Sequence, residues 1–179
     1  MTQNPDQLKE EGLQQFQRGN YEAALEVFET AVSLYTSTNN PSGQAEMLNN
    51  IGVIYRLHRN LDAAVDALSQ AETLFGRIGD VERQGMTLGN LGDLYVAQKK
   101  HTEAARSYSN ASERLAQAGA RDKQSQVLRA LSLMRLRQGQ WLQAMMHMEE
   151  SLSVRPRVGL GGWIFRGLLR FVLRLMRGE

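Results

Sequence analysis

The chain has 179 residues, of which 42% are hydrophobic and 22% charged, so it is long and apolar enough to bury a continuous core. It contains no cysteine, which excludes a disulfide framework and a thiolate metal site and is compatible with a reducing compartment. The formal net charge of +2 conceals an asymmetry, because residues 1–120 carry −5 and residues 121–179 carry +7. The basic character therefore belongs to the last part of the chain.

The first residues, MTQNPDQLKEEG, have neither a basic start nor an apolar run. They therefore do not have the pattern of a secretory signal. We expect a cytoplasmic protein, with the inner face of a membrane as a peripheral location.

Four segments of the chain superimpose at a constant offset of 40 residues. Three columns show the repeat: Gly12, Gly52, Gly92 and Ser132; Ala24, Ala64, Ala104 and Ala144; and Phe28, Leu68, Tyr108 and Met148. Such a register is typical of stacked copies of one supersecondary unit. Small residues let two helices approach closely, and the large ones fill the space between copies. We expect a substitution at Lys99, in an exposed turn, to be silent.

The copies are predicted at about 5–40, 45–80, 85–120 and 125–156, which together form a domain over 1–156. In each copy a short polar turn interrupts the apolar period, so each is predicted to be two helices joined by a turn. The sequence therefore predicts an all-α solenoid.

The strings MLNNIGVIY and TLGNLGDLY carry the clearest form of the pattern. The repeat resembles the tetratricopeptide repeat (TPR) family, in the forty-residue class found in kinesin light chains and spindle-orientation adaptors. The resemblance implies a right-handed solenoid of four helix-turn-helix units that binds a protein or peptide in its concave groove.

In the resembled families, an asparagine on the first helix of each unit holds the backbone of an extended peptide. The resemblance therefore implies a groove formed by Asn49, Asn50, Arg56, Asn90, Asp93, Arg129 and Arg137. Copies one and four have Glu10 and Ala130 at the asparagine position, so the peptide track is expected over the central copies.

A segment rich in glycine, at 157–162, is predicted to be a hinge, and residues 163–177 are predicted to form a basic amphipathic helix. Winding this segment at about 100° per residue places four arginines within about 80° of one another. They are Arg166, Arg170, Arg174 and Arg177. Large apolar residues, Phe165, Leu169 and Phe171 among them, cover roughly 200°, and Trp163 stands at the edge of the arginine strip.

Three interpretations of this helix remain open: an in-plane helix on an anionic membrane surface or a membrane protein, a cap on the array, and burial in a partner or a second copy in a homodimer. A spanning helix is not expected, because the segment reaches only about 24 Å and carries four arginines. A nucleic-acid arm is not expected either, because its arginines alternate with large apolar residues.

The three histidines, His58, His101 and His147, have no carboxylate or cysteine companions at ligand spacing. We therefore expect no catalytic residues, no metal and no cofactor. The sequence favours a non-catalytic adaptor that binds a partner in its groove and associates with a membrane through its last helix, in the manner of adaptors that assist complex assembly. The alternative is a soluble TPR protein whose last helix caps the array, occupies its groove or forms a homodimer.

Overall fold

The structure, a computed structural model, describes residues 4–155 and 159–177. Within these ranges the chain forms nine α-helices and no strand. The helices are α1 (Pro5–Gln17), α2 (Tyr21–Ser37), α3 (Pro41–Leu57), α4 (Leu61–Arg77), α5 (Val81–Ala97), α6 (His101–Gln117), α7 (Arg121–Arg137), α8 (Trp141–Val154) and α9 (Leu160–Arg177). Each helix packs against the next one along the chain. The predicted all-α solenoid of four helix pairs followed by a further helix is confirmed.

The four pairs α1–α2, α3–α4, α5–α6 and α7–α8 are the four copies, and we call the first helix of each pair its A helix and the second its B helix. The A helices of copies two to four begin at Pro41, Val81 and Arg121, four residues before the predicted starts at 45, 85 and 125. The difference arises because the first turn of each A helix is largely polar and so does not enter the apolar columns. At Pro41 the local signals are strong, because proline occupies the first helical turn and Asn40 accepts a hydrogen bond from the N–H of Gly43.

The turns between helices recur with a spacing of 20 residues. A left-handed residue stands at positions 19, 39, 59, 79, 99, 119 and 139, and three of these are not glycine. At Lys99, where φ is 61°, the N–H of Lys99 binds the carbonyl of Val96 and the N–H of Lys100 binds that of Tyr95. A lysine in this conformation costs roughly 1–2 kcal/mol relative to its right-handed form. We therefore expect a substitution at position 99 to change the stability of the fold, unlike the silent substitution predicted from the sequence.

Asp80 caps α5 and joins copies two and three. Its carboxylate accepts hydrogen bonds from the backbone N–H of Arg83 at 3.0 Å and from Nε of Arg83 at 2.5 Å. Burial by itself would raise the pKa of Asp80, but the hydrogen bonds and charge of Arg83 outweigh it and lower the pKa below its ordinary value. The guanidinium group of Arg83 also lies over the ring of Phe75 and binds the hydroxyl group of Ser42, both in copy two.

The glycine column lies where the A and B helices of one copy cross. A Cβ atom at Gly92 would lie 2.6 Å from two ring carbons of Tyr108, and one at Gly52 would lie 2.6 Å from Cγ of Leu68. Next to these crossings, Ala64 and Ala104 are fully buried. The close approach of the two helices in each copy therefore requires the small residues that define the repeat.

The last helix, α9, begins at Leu160, three residues before the predicted start at Trp163. Residues 160–162 of the predicted hinge are thus helical, since the N–H of Trp163 already binds the carbonyl of Gly159 in the first turn. Residues 157 and 158 of the predicted hinge lie outside the described part of the chain. The start of α9 comes 39 residues after that of α7, so α9 has the chain position of a fifth A helix.

Candidate partner-binding groove and C-terminal helix

Two adjoining cavities lie between the A helices of copies two, three and four. The cavity between α3 and α5 has a volume of about 350 Å³, and the cavity between α5 and α7 has a volume of about 310 Å³. Met86 and Asn90 line both. The first is also lined by Glu46, Asn49, Phe75, Arg83 and Thr87, and the second by Gly89, Asp93, Tyr108, Leu115, Lys123, Gln126, Val127 and Ala130. We call the surface formed by the two cavities the groove.

A small amide network connects α3 and α5 at the centre of the groove. The side-chain oxygen of Asn49 accepts a hydrogen bond from the hydroxyl group of Thr87 at 3.2 Å and one from Nδ2 of Asn90 at 3.4 Å. A side-chain amide has two N–H donors and an oxygen acceptor, so Asn90 retains the capacity to bind a peptide backbone. Asn50, in the same column one copy earlier, is half-buried and is not among the residues that line the two cavities.

Ion pairs join the A helices of neighbouring copies along the groove. The pairs are Lys9–Glu46 at 2.7 Å, Arg83–Glu46 at 3.6 Å, Arg56–Asp93 at 3.3 Å and Lys123–Glu82 at 2.6 Å. All of these side chains are partly exposed, so each pair contributes about 0–1 kcal/mol to stability. The charges of these side chains therefore largely neutralise one another along the groove.

A third cavity, of about 190 Å³, continues the groove toward the C-terminal ends of α5 and α7, with Asp93, Tyr108 and Arg137 in its lining. The hydroxyl group of the buried Tyr108 donates a hydrogen bond to Asp93. Burial, followed by the hydrogen bond and charge of Asp93, raises the pKa of Tyr108 well above its ordinary value. Arg56 and Arg137 oppose this increase only in part.

The residues predicted for the groove are thus not all brought together. Asn49, Asn90 and Asp93 line its cavities, Arg137 lines the third cavity, and Arg56 reaches it through Asp93. Asn50 and Arg129 lie apart from these cavities.

Arg129 is exposed on α7. Met86 and Glu46 were not predicted from the sequence. Their column lies four residues before the asparagine column, and this spacing places both on one face of the A helix.

One face of α9 is apolar and exposed. Ile164, Phe165, Leu168 and Phe171 have exposed fractions between 47% and 60%. Winding the helix at about 100° per residue places these four side chains within about 120°, and we call them the apolar arc. Trp163, 67% exposed, stands beside the arginines. The arc points away from α8, because the residues that contact α8 lie on the other side of the helix.

The side of α9 that faces the array carries two of the predicted arginines. Nε of Arg170 donates a hydrogen bond to Oε1 of Glu149 at 2.6 Å, and Nε of Arg166 lies 3.6 Å from the same oxygen. Between them in the chain, Leu169 is buried. The sequence predicts an arginine strip that is free to meet headgroups, but two of these arginines contact Glu149, whereas Arg174 is exposed and has no such ion pair within the described part of the chain. The side chain of Arg177 lies outside the described residues.

The burial pattern of α9 differs from that of the A helices. Leu91 and Leu131 are buried in one column, whereas Phe171, 40 positions after Leu131, is 60% exposed. The buried apolar column of the repeat therefore does not continue into α9. A cap that buried the apolar face would have the opposite arrangement.

None of the described helices combines the length and the apolar character that crossing a bilayer requires. In the described part of the chain, no group of three or more histidine, aspartate or glutamate side chains is arranged to hold a metal ion. His147 is half-buried in α8, and this burial lowers its pKa although Glu150 opposes the change.

A family model for the tetratricopeptide repeat matches residues 11–76 and 83–157. The fold is similar to that of BtubC (BKLC) from P. vanneervenii, with a TM-score of 0.76 and 18% identity over 88% of this chain and 70% of that chain. It is also similar to a putative kinesin light chain of Podosopora anserina with nearly identical TPR-like repeats, with a TM-score of 0.70 and 15% identity over 99% of this chain and 96% of that chain.

The structure of MamA is a more distant neighbour, with a TM-score of 0.52 and 16% identity over 80% of this chain and 93% of that chain. Among curated proteins no match is found. At these identities the solved structures show a shared fold and no more.

Proposed function

Since the chain belongs to the tetratricopeptide repeat family, we propose that it is a non-catalytic adaptor. It binds a segment of a partner protein in the groove and associates with a membrane surface through α9. The family is generally non-catalytic, and its solenoids are scaffolds for protein interaction. The two parts of the proposal depend on different surfaces and are tested separately.

The groove is proposed to hold an extended peptide segment. The observation that supports this is that Asn90 and Met86 line both cavities, so one amide and one apolar side chain stand at the centre of a continuous surface. An amide pairs with a peptide backbone, and the flexible thioether of Met86 adapts to apolar side chains. Because the charged residues along the groove are already paired with one another, we expect backbone and apolar contacts to dominate affinity.

Selection of peptides from a random library on the immobilised protein tests the groove. We expect the selected peptides to compete with one another and to protect the backbone amides of α3, α5 and α7 from hydrogen exchange. Peptides that protect only the B helices would contradict the proposal.

The membrane role is proposed from the apolar arc. Full burial of one large apolar side chain is worth roughly 1.5–3 kcal/mol, so partial burial of four contributes several kcal/mol. An arginine near an anionic surface adds on the order of 1 kcal/mol, which favours the cytoplasmic leaflet. In the docked arrangement the arc faces outward from the array, as an in-plane helix requires. An adaptor held in this way raises the local concentration of its partner at the membrane.

Vesicle flotation of the full chain and of a chain that ends at residue 157 tests this role. We expect the full chain to float with vesicles that contain anionic lipid and the shortened chain to remain in the dense fraction. If the full chain does not float and light scattering gives twice the monomer mass, the arc is the interface of a homodimer and the membrane role is wrong.

A further inference from the structure

Glu149 is the point at which α9 is attached to the array. Its side chain is 20% exposed, and two guanidinium groups approach the same carboxylate oxygen, Arg170 at 2.6 Å and Arg166 at 3.6 Å. The buried Leu169 lies between the two arginines in the chain. In the other copies the column of Glu149 holds Glu29, Ser69 and Ser109. Glu29 also contacts the following helix, but its partner is the hydroxyl group of Tyr55 and not an arginine.

Ion pairs of this exposure are weak, and the side chain of Arg170 is 52% exposed. Phosphate oxygens bind guanidinium groups with the same paired geometry as a carboxylate and are concentrated at a lipid surface. A surface rich in anionic headgroups therefore competes with Glu149 for the same two side chains.

We propose that Glu149 is a clamp that holds α9 on the array and withholds Arg166 and Arg170 from anionic lipid until headgroups displace it. The inference rests on the proposed membrane role of α9 and adds its regulation. With the clamp closed, the apolar arc contacts the membrane and anionic lipid adds little to the affinity. With the clamp open, both guanidinium groups bind lipid phosphates and α9 separates from α8. The anionic lipid content of the membrane thus determines whether α9 stays packed against the array or is joined to it only by the preceding segment.

The chain offers a matched control for the clamp. Glu150 is the next residue, is half exposed, and lies 3.7 Å from His147 within the same helix. Glu149→Gln and Glu150→Gln change the net charge by the same amount, so a difference between the two variants reports the contact with α9.

The first measurement is hydrogen exchange in lipid-free buffer. An isolated helix of this length is marginal in water, so α9 depends on its contact with α8 for protection. We expect Glu149→Gln to accelerate exchange of the α9 amides about threefold to fivefold, and to leave α7 unchanged. Glu150→Gln should exchange as the wild type does. Equal exchange rates of the α9 amides in the two variants would contradict the proposal that Glu149 holds α9 on the array.

The second measurement is affinity for vesicles of phosphatidylcholine, with and without phosphatidylserine. We expect Glu149→Gln to bind the anionic vesicles at least fivefold more tightly than Glu150→Gln, because each arginine that is freed to reach the surface corresponds to about fivefold. On neutral vesicles the two should agree. Equal affinity for anionic vesicles would overturn the competition with lipid. If no variant binds vesicles, the proposed membrane role is wrong and so is the lipid part of this inference, while hydrogen exchange still decides the clamp.

Discussion

The hydroxyl group of Tyr108 donates a 2.5 Å hydrogen bond to Oδ1 of Asp93, and both residues line the groove. Oδ2 of the same carboxylate accepts a hydrogen bond from Arg56 at 3.3 Å. Because Tyr108 belongs to α6, Asp93 to α5 and Arg56 to α3, this chain of contacts joins the two helices of copy three to copy two. The same tyrosine ring packs against Gly92, so the residue that sets the helix crossing also supports the groove.

The first prediction is a loss of stability at alkaline pH. Burial and the hydrogen bond to Asp93 raise the pKa of Tyr108 above its ordinary value in the folded state, so the unfolded chain gives up this proton first. The free energy of unfolding should therefore hold below about pH 10 and fall as the pH rises further. Urea unfolding at a series of pH values measures the decline. Tyr108→Phe should make it shallower, and an unchanged slope would mean that Tyr108 does not contribute to it.

The second prediction concerns the helix crossing in copy three. Gly92→Ala should lower the free energy of unfolding by about 1–3 kcal/mol, because the new methyl group would meet the ring of Tyr108. Gly89→Ala is the control in the same helix, since its Cβ atom would meet only a methyl group of Val127 at 3.3 Å. Thermal unfolding followed by circular dichroism compares them. The predicted crossing would be wrong if both variants unfolded at one temperature.

The third prediction concerns the turn between α5 and α6. Lys99→Gly should stabilise the protein by about 0.5–1 kcal/mol, because glycine adopts a positive φ without the steric cost that lysine has. Lys99→Ala is the control, since alanine removes the same side chain but keeps the Cβ atom that makes a positive φ costly. Chemical denaturation of both variants against the wild type measures the effect. A gain for Lys99→Ala as large as that for Lys99→Gly would contradict the explanation.

The fourth prediction concerns the groove. Asn90→Ala should weaken a peptide selected on the wild type by roughly 1 kcal/mol or more, about fivefold, because the peptide backbone loses a hydrogen-bonding partner. Asn110→Ala, the same change at an exposed position of α6, should leave affinity unchanged. Fluorescence titration with the labelled peptide gives the dissociation constants. Equal values for the two variants would place the peptide elsewhere.

The fifth prediction concerns the apolar arc. Replacement of Phe165, Leu168 and Phe171 by serine should reduce vesicle affinity at least tenfold at any ionic strength, because apolar burial supplies most of the binding free energy. Leu142→Ser with Met146→Ser removes exposed apolar side chains from α8 and serves as the control. Flotation at low and high salt measures both. If the α8 variant lost as much binding as the α9 variant, the membrane contact would not be specific to the arc.

The sequence by itself determined the repeat and the helix pairs. Gly52 and Gly92 stand 40 residues apart because each copy must solve the same packing problem, in which a side chain at that position would collide with the facing B helix. Periodic constraints of this kind are local and are repeated, so one chain shows them several times. The predicted starts of copies two to four lie four residues after the starts of their A helices, because the first turn of each A helix is largely polar and adds no residue to the apolar columns.

Only the tertiary structure decided which side chains meet. Asn49 contacts Asn90 across two copies, whereas Asn50 in the expected column does not reach the same cavities. In α9 the sequence shows an arginine strip and an apolar face but not which of them faces the array. In the structure Glu149 of α8 contacts Arg166 and Arg170, and the apolar arc lies outside. Periodicity describes one helix, whereas the side of that helix that faces the array depends on the side chains of its neighbour.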